Sequence, residues 1–154
     1  MLFLLFQLGT DRYALEAREV VEVLPLVHFK RIPKAPLGVA GVFSYHGTPV
    51  PLIDLTELAI GRPSQEKMST RIVLIYHLGE VGKKHLIGFI AECVMETVHR
   101  AECDFVDSGV VATDAPYLGS VATDNSGIIQ RIEVSRLLPE SLRKQLFCDL
   151  VESV

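Results

Sequence analysis

The chain has no tryptophan, and aromatic residues make up only 7% of its 154 positions. A core built on ring stacking is therefore not expected, and burial has to rest on aliphatic side chains. Cysteine is scarce as well. Cys93, Cys103 and Cys148 are odd in number and lack metal-binding spacing. That count argues against a disulfide scaffold, and reduced, mostly buried thiols in a cytoplasmic protein are the simplest account. Positive charge is not in excess: 15 Lys and Arg stand against 19 Asp and Glu, for a net charge of -4. With no basic stripe, nucleic acid is not expected as a partner. No apolar run approaches the roughly 18 residues of a membrane span, so no direct membrane insertion is expected. Met1 to Phe6 is apolar, but it has no basic flank, is too short for a leader and precedes no small-residue cleavage site. It reads as a strand.

Signatures of chemistry are missing too. The five histidines, His28, His46, His77, His85 and His99, form no H-E-x-x-H and no C-x-x-C…H pattern, so a metal site has little support. His77 and His85 flank an expected hairpin and read as two surface histidines at a strand end. The glycines form neither a G-x-G-x-x-G nor a P-loop, so no nucleotide cofactor is expected. Ser44, His46 and Asp54 supply triad residue types on one hairpin but without a nucleophile elbow. A small hydrolase or metal-dependent enzyme using His46 and Asp54 remains the alternative of another class. A globular chain without a catalytic constellation is expected to be a binding module.

What the chain does have is aliphatic and β-branched residues in short runs. Hydrophobic residues reach 49%, enough for a packed core in a single domain spanning 1–154. Strands are expected over 2–8, from 13, over 20–24, 26–32, 39–43, 50–55, 71–76, 86–90, 94–98, 117–122 and 128–134. Turns are expected at Gly9 to Arg12, at Gly79 to Gly82 and at Asp124-Asn-Ser-Gly127. Residues 99–115 read as a loop with one short strand. Gly61 to Lys67 is polar and punctuated, a linker candidate. Many short strands with regular turn signals point to an all-β protein of barrels or a sandwich rather than a βαβ fold. Leu142, Leu146 and Leu150 recur every four residues, an apolar stripe expected on a C-terminal helix near 139–150 that docks on the β body.

The stretch from Pro33 to Leu58 organises the rest. Val39 to Phe43 and Val50 to Leu55 suit strands, and Gly47 can take the positive φ of a tight hairpin turn. Pro49 and Pro51 cannot donate to a ladder, so one side of their strand should be unpaired. Asp54, three residues before Glu57, suits the cap of a short helix.

The same stretch, "P..P..V.GV……G..VP.IDL", resembles the CheW-like domain of bacterial chemosensory systems. Phe6-Gln-Leu-Gly9, Tyr13-Ala-Leu15 and Val20-Val-Glu-Val23 fit the family's first third, in the same order and spacing. The resemblance implies two five-stranded SH3-like β-barrels on a shared core. We expect the first over roughly 1–62 and the second over roughly 68–135, with the linker between them. It also implies a non-enzymatic, cytoplasmic adaptor, recruited to membrane receptor arrays, that joins a chemoreceptor's signalling tip to the regulatory domain of a CheA-type histidine kinase. Val20 and Glu22 match the family's "V-x-E" positions at the receptor groove, and Pro49 lies near them in the pattern. His46 stands where the family's "N-L-R-G" has arginine, replacing a fixed fork of donors by an imidazole. Strand alternation is expected to put Val20 and Glu22 on one face. Leu4 and Val23 match apolar positions on the kinase side. Val20 fits core packing as well as a surface contact, Leu4 and Val23 fit core packing better, and Glu22 also fits a plain solvated carboxylate. The wording of 14–25, of "HGTPVPLIDL" and of Ala115-Pro-Tyr-Leu-Gly119 looks most like the coupling proteins of Wsp-type surface-sensing systems, whose output is cyclic di-GMP. Ordinary flagellar chemotaxis is the alternative.

Overall fold

The computed structural model describes residues 1–78 and 84–138. Among them are nine strands: β1 (Leu2–Leu8), β2 (Asp11–Glu16), β3 (Val20–Pro25), β4 (Val39–Tyr45), β5 (Thr48–Asp54), β6 (Arg71–Leu78), β7 (Lys84–His99), β8 (Leu118–Asp124) and β9 (Gly127–Ile132). One α-helix, α1, spans Leu55–Ile60, and single 3-10 turns occupy Ala17–Glu19, Glu102–Asp104 and Val134–Arg136. The all-β expectation holds. The helix expected over 139–150, the turn at 79–82 and Cys148 lie outside the described residues. No described helix is long and apolar enough to cross a membrane.

Four hairpins supply most of the pairing. β1 pairs with β2 and β8 with β9, and the second strands β2 and β9 run parallel. β4 pairs with β5 and β6 with β7, and β5 and β7 run parallel in the same way. β3 adds to the free side of β6. The 16-residue β7 belongs to both groups: residues 84–91 pair with β6, and residues 92–99 pair with β1. Each half of β7 thus completes a five-stranded sheet. The expected strands at 86–90 and 94–98 are one strand, bent where Cys93 takes a φ of 47° and the register to β1 slips.

The barrels therefore do not divide as 1–62 and 68–135. β1 and β2 belong with β8, β9 and the end of β7, whereas β3, β4 and β5 belong with β6 and the start of β7. The physical reason is the length of β7, which lets one strand serve two sheets. The segment 61–67 joins α1 to β6 within the second sheet and is not a tether between the two.

Continuous apolar runs make sense in this arrangement, because both faces of the central strands are covered. In β1, Leu4, Phe6 and Leu8 point into a core shared by the two sheets, while Phe3 and Leu5 fill a small core of the first sheet with Ala14 and Ile129. In β6, Val73 and Ile75 enter the shared core, while Ile72 and Leu74 join Phe43, Val50, Leu52 and Ile90 in a small core of the second sheet. Leu137 and Leu138 close the shared core from the chain's end of the described region.

Asp54 caps α1 by accepting from the Glu57 N–H at 3.3 Å, as its spacing implies, and Gly61 ends the helix at φ 81°. The 61–67 segment is strapped down rather than loose. Asp54 also accepts from the Ser64 N–H at 2.9 Å, and buried Glu92 accepts from Gln65 N–H at 2.6 Å, Gly9 N–H at 3.1 Å and Arg62 at 3.2 Å. Residues 26–32 do not form the expected strand. Pro25 ends β3, and of this segment Lys30 alone pairs with β4, exchanging two backbone hydrogen bonds with Val42 beside the bare backbone of Gly41. The 99–115 loop carries one bridge, Val106 to Val121.

The Asp124–Gly127 turn of the β8–β9 hairpin is anchored to the first sheet. Asp124 accepts from Arg12 at 2.5 and 3.1 Å, from the Ser126 N–H at 2.8 Å and from Arg100 at 3.3 Å. The Arg12 hydrogen bonds, then that of Ser126, pull its carboxyl from 3.8 down to about 2. A depressed carboxylate contributes stability above its unfolded value and loses it as pH falls through the folded one. The denaturant-midpoint gap between wild type and Asp124→Asn should therefore be constant above about pH 4 and close as pH approaches about 2. A gap independent of pH across that range would contradict the anchor.

Candidate functional site

The β4–β5 hairpin closes through a two-residue turn. Tyr45 pairs with Thr48, and between them His46 and Gly47 take φ values of 50° and 82°. Two positive φ angles make a type I′ turn, whose twist matches that of the strands. Histidine is one of the few side chains found with some frequency in this region, so position 46 fits the turn as well as glycine fits 47. Pro49 lies opposite Ser44 and is exposed; only residues 52–54 of β5 have a second neighbour, β7, so the missing donors of Pro49 and Pro51 break no ladder.

Next to this tip runs β3. A bulge at Val21 sets Val20 opposite Ile75 but Glu22 opposite Leu74. Directly opposed residues share a side, so Val20 turns toward the shared core with Ile75 and Val23 with Val73, while Glu22 lies on the side of Leu74. The expected common face of Val20 and Glu22 is thereby corrected: simple alternation fails across a bulge. Val20 and Val23 are half-buried against the shared core, and Leu4, 7% exposed, is a core residue.

Glu22 and His46 do come together, through a residue between them. The Tyr45 hydroxyl donates to Glu22 Oε1 at 2.7 Å, and the Tyr45 and His46 rings lie 4.4 Å apart, edge to face at 69°. The hydrogen bond to Glu22 pushes the Tyr45 phenol above its ordinary value, with burial and the negative charge adding to it. Tyr76, two residues past Leu74 on the same side of β6, is 49% exposed and carries Lys84 over its ring at 5.7 Å. The result is an exposed patch of two tyrosines and an imidazole with one carboxylate and one ammonium. It suits protein contact and contains no nucleophile–base pair. Sequence reasoning missed Tyr76 and gave Tyr45 no polar role; neither the register of β3 against β6, which sets Tyr76 near Glu22, nor the approach of Tyr45 from β4 has a local signal.

The enzymatic alternative fails on geometry. Asp54 is 5% exposed and committed to Glu57 and Ser64, whereas His46 is exposed at the far end of β5. Six residue steps of strand separate Thr48 from Asp54, about 20 Å. His77 and His85 face each other across β6 and β7, as expected, but His77 is buried and His85 half-buried, not a surface pair. Among the described residues no group of three His, Cys, Asp or Glu is placed to hold a metal. Cys93 is a half-buried free thiol and Cys103 an exposed one, so the expectation of burial fails for Cys103.

Residues 2–141 match the family model of the CheW-like domain. The chemotaxis protein CheW of Helicobacter pylori is 26% identical over 103 residues, which is 66% of this chain; the chain spans 59% of that curated relative's length. The crystal structure of the scaffolding protein TtCheW from Thermoanaerobacter tengcongensis superposes with a TM-score of 0.79, covering 92% of this chain and 89% of that one at 23% identity, so the fold is the same. With the match running over nearly the whole chain, this protein belongs to the CheW-like domain family.

Proposed function

We propose that this protein is a coupling adaptor, joining the cytoplasmic signalling tip of a chemoreceptor to the regulatory domain of a CheA-type histidine kinase in a receptor array. The observation that carries the reading is the exposed patch where Glu22, Tyr45 and His46 meet, with Pro49 beside it on the same hairpin. This is the receptor surface; Val20 supports it from the core side of β3. For the kinase, Val23 keeps partial exposure, while Leu4 shapes the core beneath. The finer reading is a Wsp-type surface-sensing system with cyclic di-GMP output. It is supported by the wording of residues 14–25, of the "HGTPVPLIDL" hairpin and of Ala115 to Gly119.

The test is binding of a receptor signalling-tip fragment from the same organism, with the kinase regulatory domain as control. Glu22→Arg should weaken receptor binding roughly 5- to 150-fold, the equivalent of about 1–3 kcal/mol for a lost interface contact, and leave kinase binding intact. His46→Arg should shift preference toward receptors of flagellar chemotaxis. A folded Glu22→Arg protein that binds its receptor like wild type refutes the surface.

A further inference from the structure

We infer that Tyr45 is a positioning residue of this surface: it fixes the Glu22 carboxylate and the His46 imidazole in the arrangement that a receptor meets. The inference rests on the adaptor reading for its function but on local geometry for its physics. Glu22 stands on β3 and His46 on the β4–β5 turn, segments more than twenty residues apart in the chain. No ladder joins β3 to β4 or β5, since β3 pairs with β6. Among the described residues, the Tyr45 hydroxyl is the one hydrogen-bond donor to Glu22. The ring that carries this hydroxyl is itself fixed. It packs on the small core of the second sheet beside Phe43 and Val50, and its position in the hairpin is set by pairing with Thr48.

The three contacts of Tyr45 therefore differ in kind. Its ring packs against the core of the second sheet, its hydroxyl bonds Glu22 and its ring also meets the His46 imidazole. Phenylalanine would keep the first and the last and lose only the second. Without the hydroxyl, the Glu22 side chain regains its free rotamers and a partner has to order it on binding. The hydrogen bond is exposed to solvent, so its loss changes stability little and acts on binding instead. The raised phenol of Tyr45, caused first by that hydrogen bond, gives the contact a signature independent of any partner.

The experiment uses the full-length protein with Tyr45→Phe, Glu22→Gln and the double variant, and the receptor signalling-tip fragment that binds wild type. We expect Tyr45→Phe to melt like wild type and to weaken receptor binding about three- to tenfold. In a Glu22→Gln background the same change should have a smaller effect, because the carboxylate it positions is gone. By NMR, the Tyr45 phenol should titrate lower in Glu22→Gln than in wild type. Equal phenol titration in the two proteins overturns the inference whether or not any receptor binds. If Glu22→Arg abolishes binding while folded Tyr45→Phe binds like wild type, positioning by Tyr45 is wrong and the adaptor surface stands. If Glu22→Arg leaves binding unchanged while the phenol still falls in Glu22→Gln, the contact is real but the surface is misassigned, and positioning for receptor binding is overturned with it.

Discussion

Gly41→Ala should lower the stability of this protein by about 3 kcal/mol, the upper end for an overpacked site. A Cβ at position 41 would lie 2.0 Å from the Lys30 carbonyl oxygen and 3.1 Å from the Arg31 Cα. Both neighbours are backbone, so no rotamer change relieves the clash. Lys30 is also held there, since its N–H and C=O both bond to Val42, at 2.8 and 2.9 Å. Either the 26–37 segment lifts away, uncovering the small core that Leu26 and Phe29 pack on, or β4 slides from β5. For a chain of this length a loss of that size shifts the melting temperature by about 6–12 °C. Thermal unfolding followed by far-UV circular dichroism checks it, and a shift under 2 °C would show that the segment moves freely. Because β4 carries Tyr45, receptor binding should weaken as well, although Gly41 lies four residues from the contact.

Glu92→Ala should be comparably damaging, at about 3 kcal/mol. The buried carboxylate is the meeting point of three segments: the β1–β2 turn through Gly9, the strap through Arg62 and Gln65, and β7 itself. Truncation leaves two backbone N–H groups without acceptors, each costing roughly 1–3 kcal/mol when water cannot replace the partner. Arg62 is partly exposed and recovers some hydration, which keeps the total below that of a fully buried pair. The pH dependence has a definite sign. Burial pushes the Glu92 carboxyl up, but hydrogen bonds from Gln65, Arg62 and Gly9 outweigh it and hold the carboxyl below its ordinary value. Its contribution is thus complete above the ordinary glutamate range and fades as pH falls below it. Urea midpoints of wild type and variant should differ most near neutral pH and converge in acid. Equal midpoints at pH 7 would mean that the strap is held by Asp54 alone.

Strand content, the tight hairpin at Gly47 and the Asp54 cap were legible because each depends on residues close in sequence: a glycine able to take positive φ between two strand-like runs, Pro49 and Pro51 on a half-unpaired strand, a carboxylate three residues before a helical N–H. The arrangement of the sheets was not: the break between 86–90 and 94–98 falls where the partner changes from β6 to β1, but it reads as the end of one strand rather than as one strand serving two sheets. The β3 bulge was invisible for a related reason: Val20-Val-Glu-Val reads as regular alternation, and only the register against Ile75 and Leu74 reveals the extra residue. At the candidate site, the closeness of Glu22 and His46 was expected from the family pattern, whereas the hydrogen bond from Tyr45 that links them required the distance between two strands that share no ladder.

The sharing of β7 has a consequence for how such a domain can be inherited or dismantled. A cut anywhere between β2 and β8 leaves at least one sheet with strands on both fragments, since the first sheet is built from both ends of the described chain and the second from its middle. Neither sheet is a module that a gene could gain, lose or exchange by itself, and a half-length product has no complete set of hydrogen-bonding neighbours.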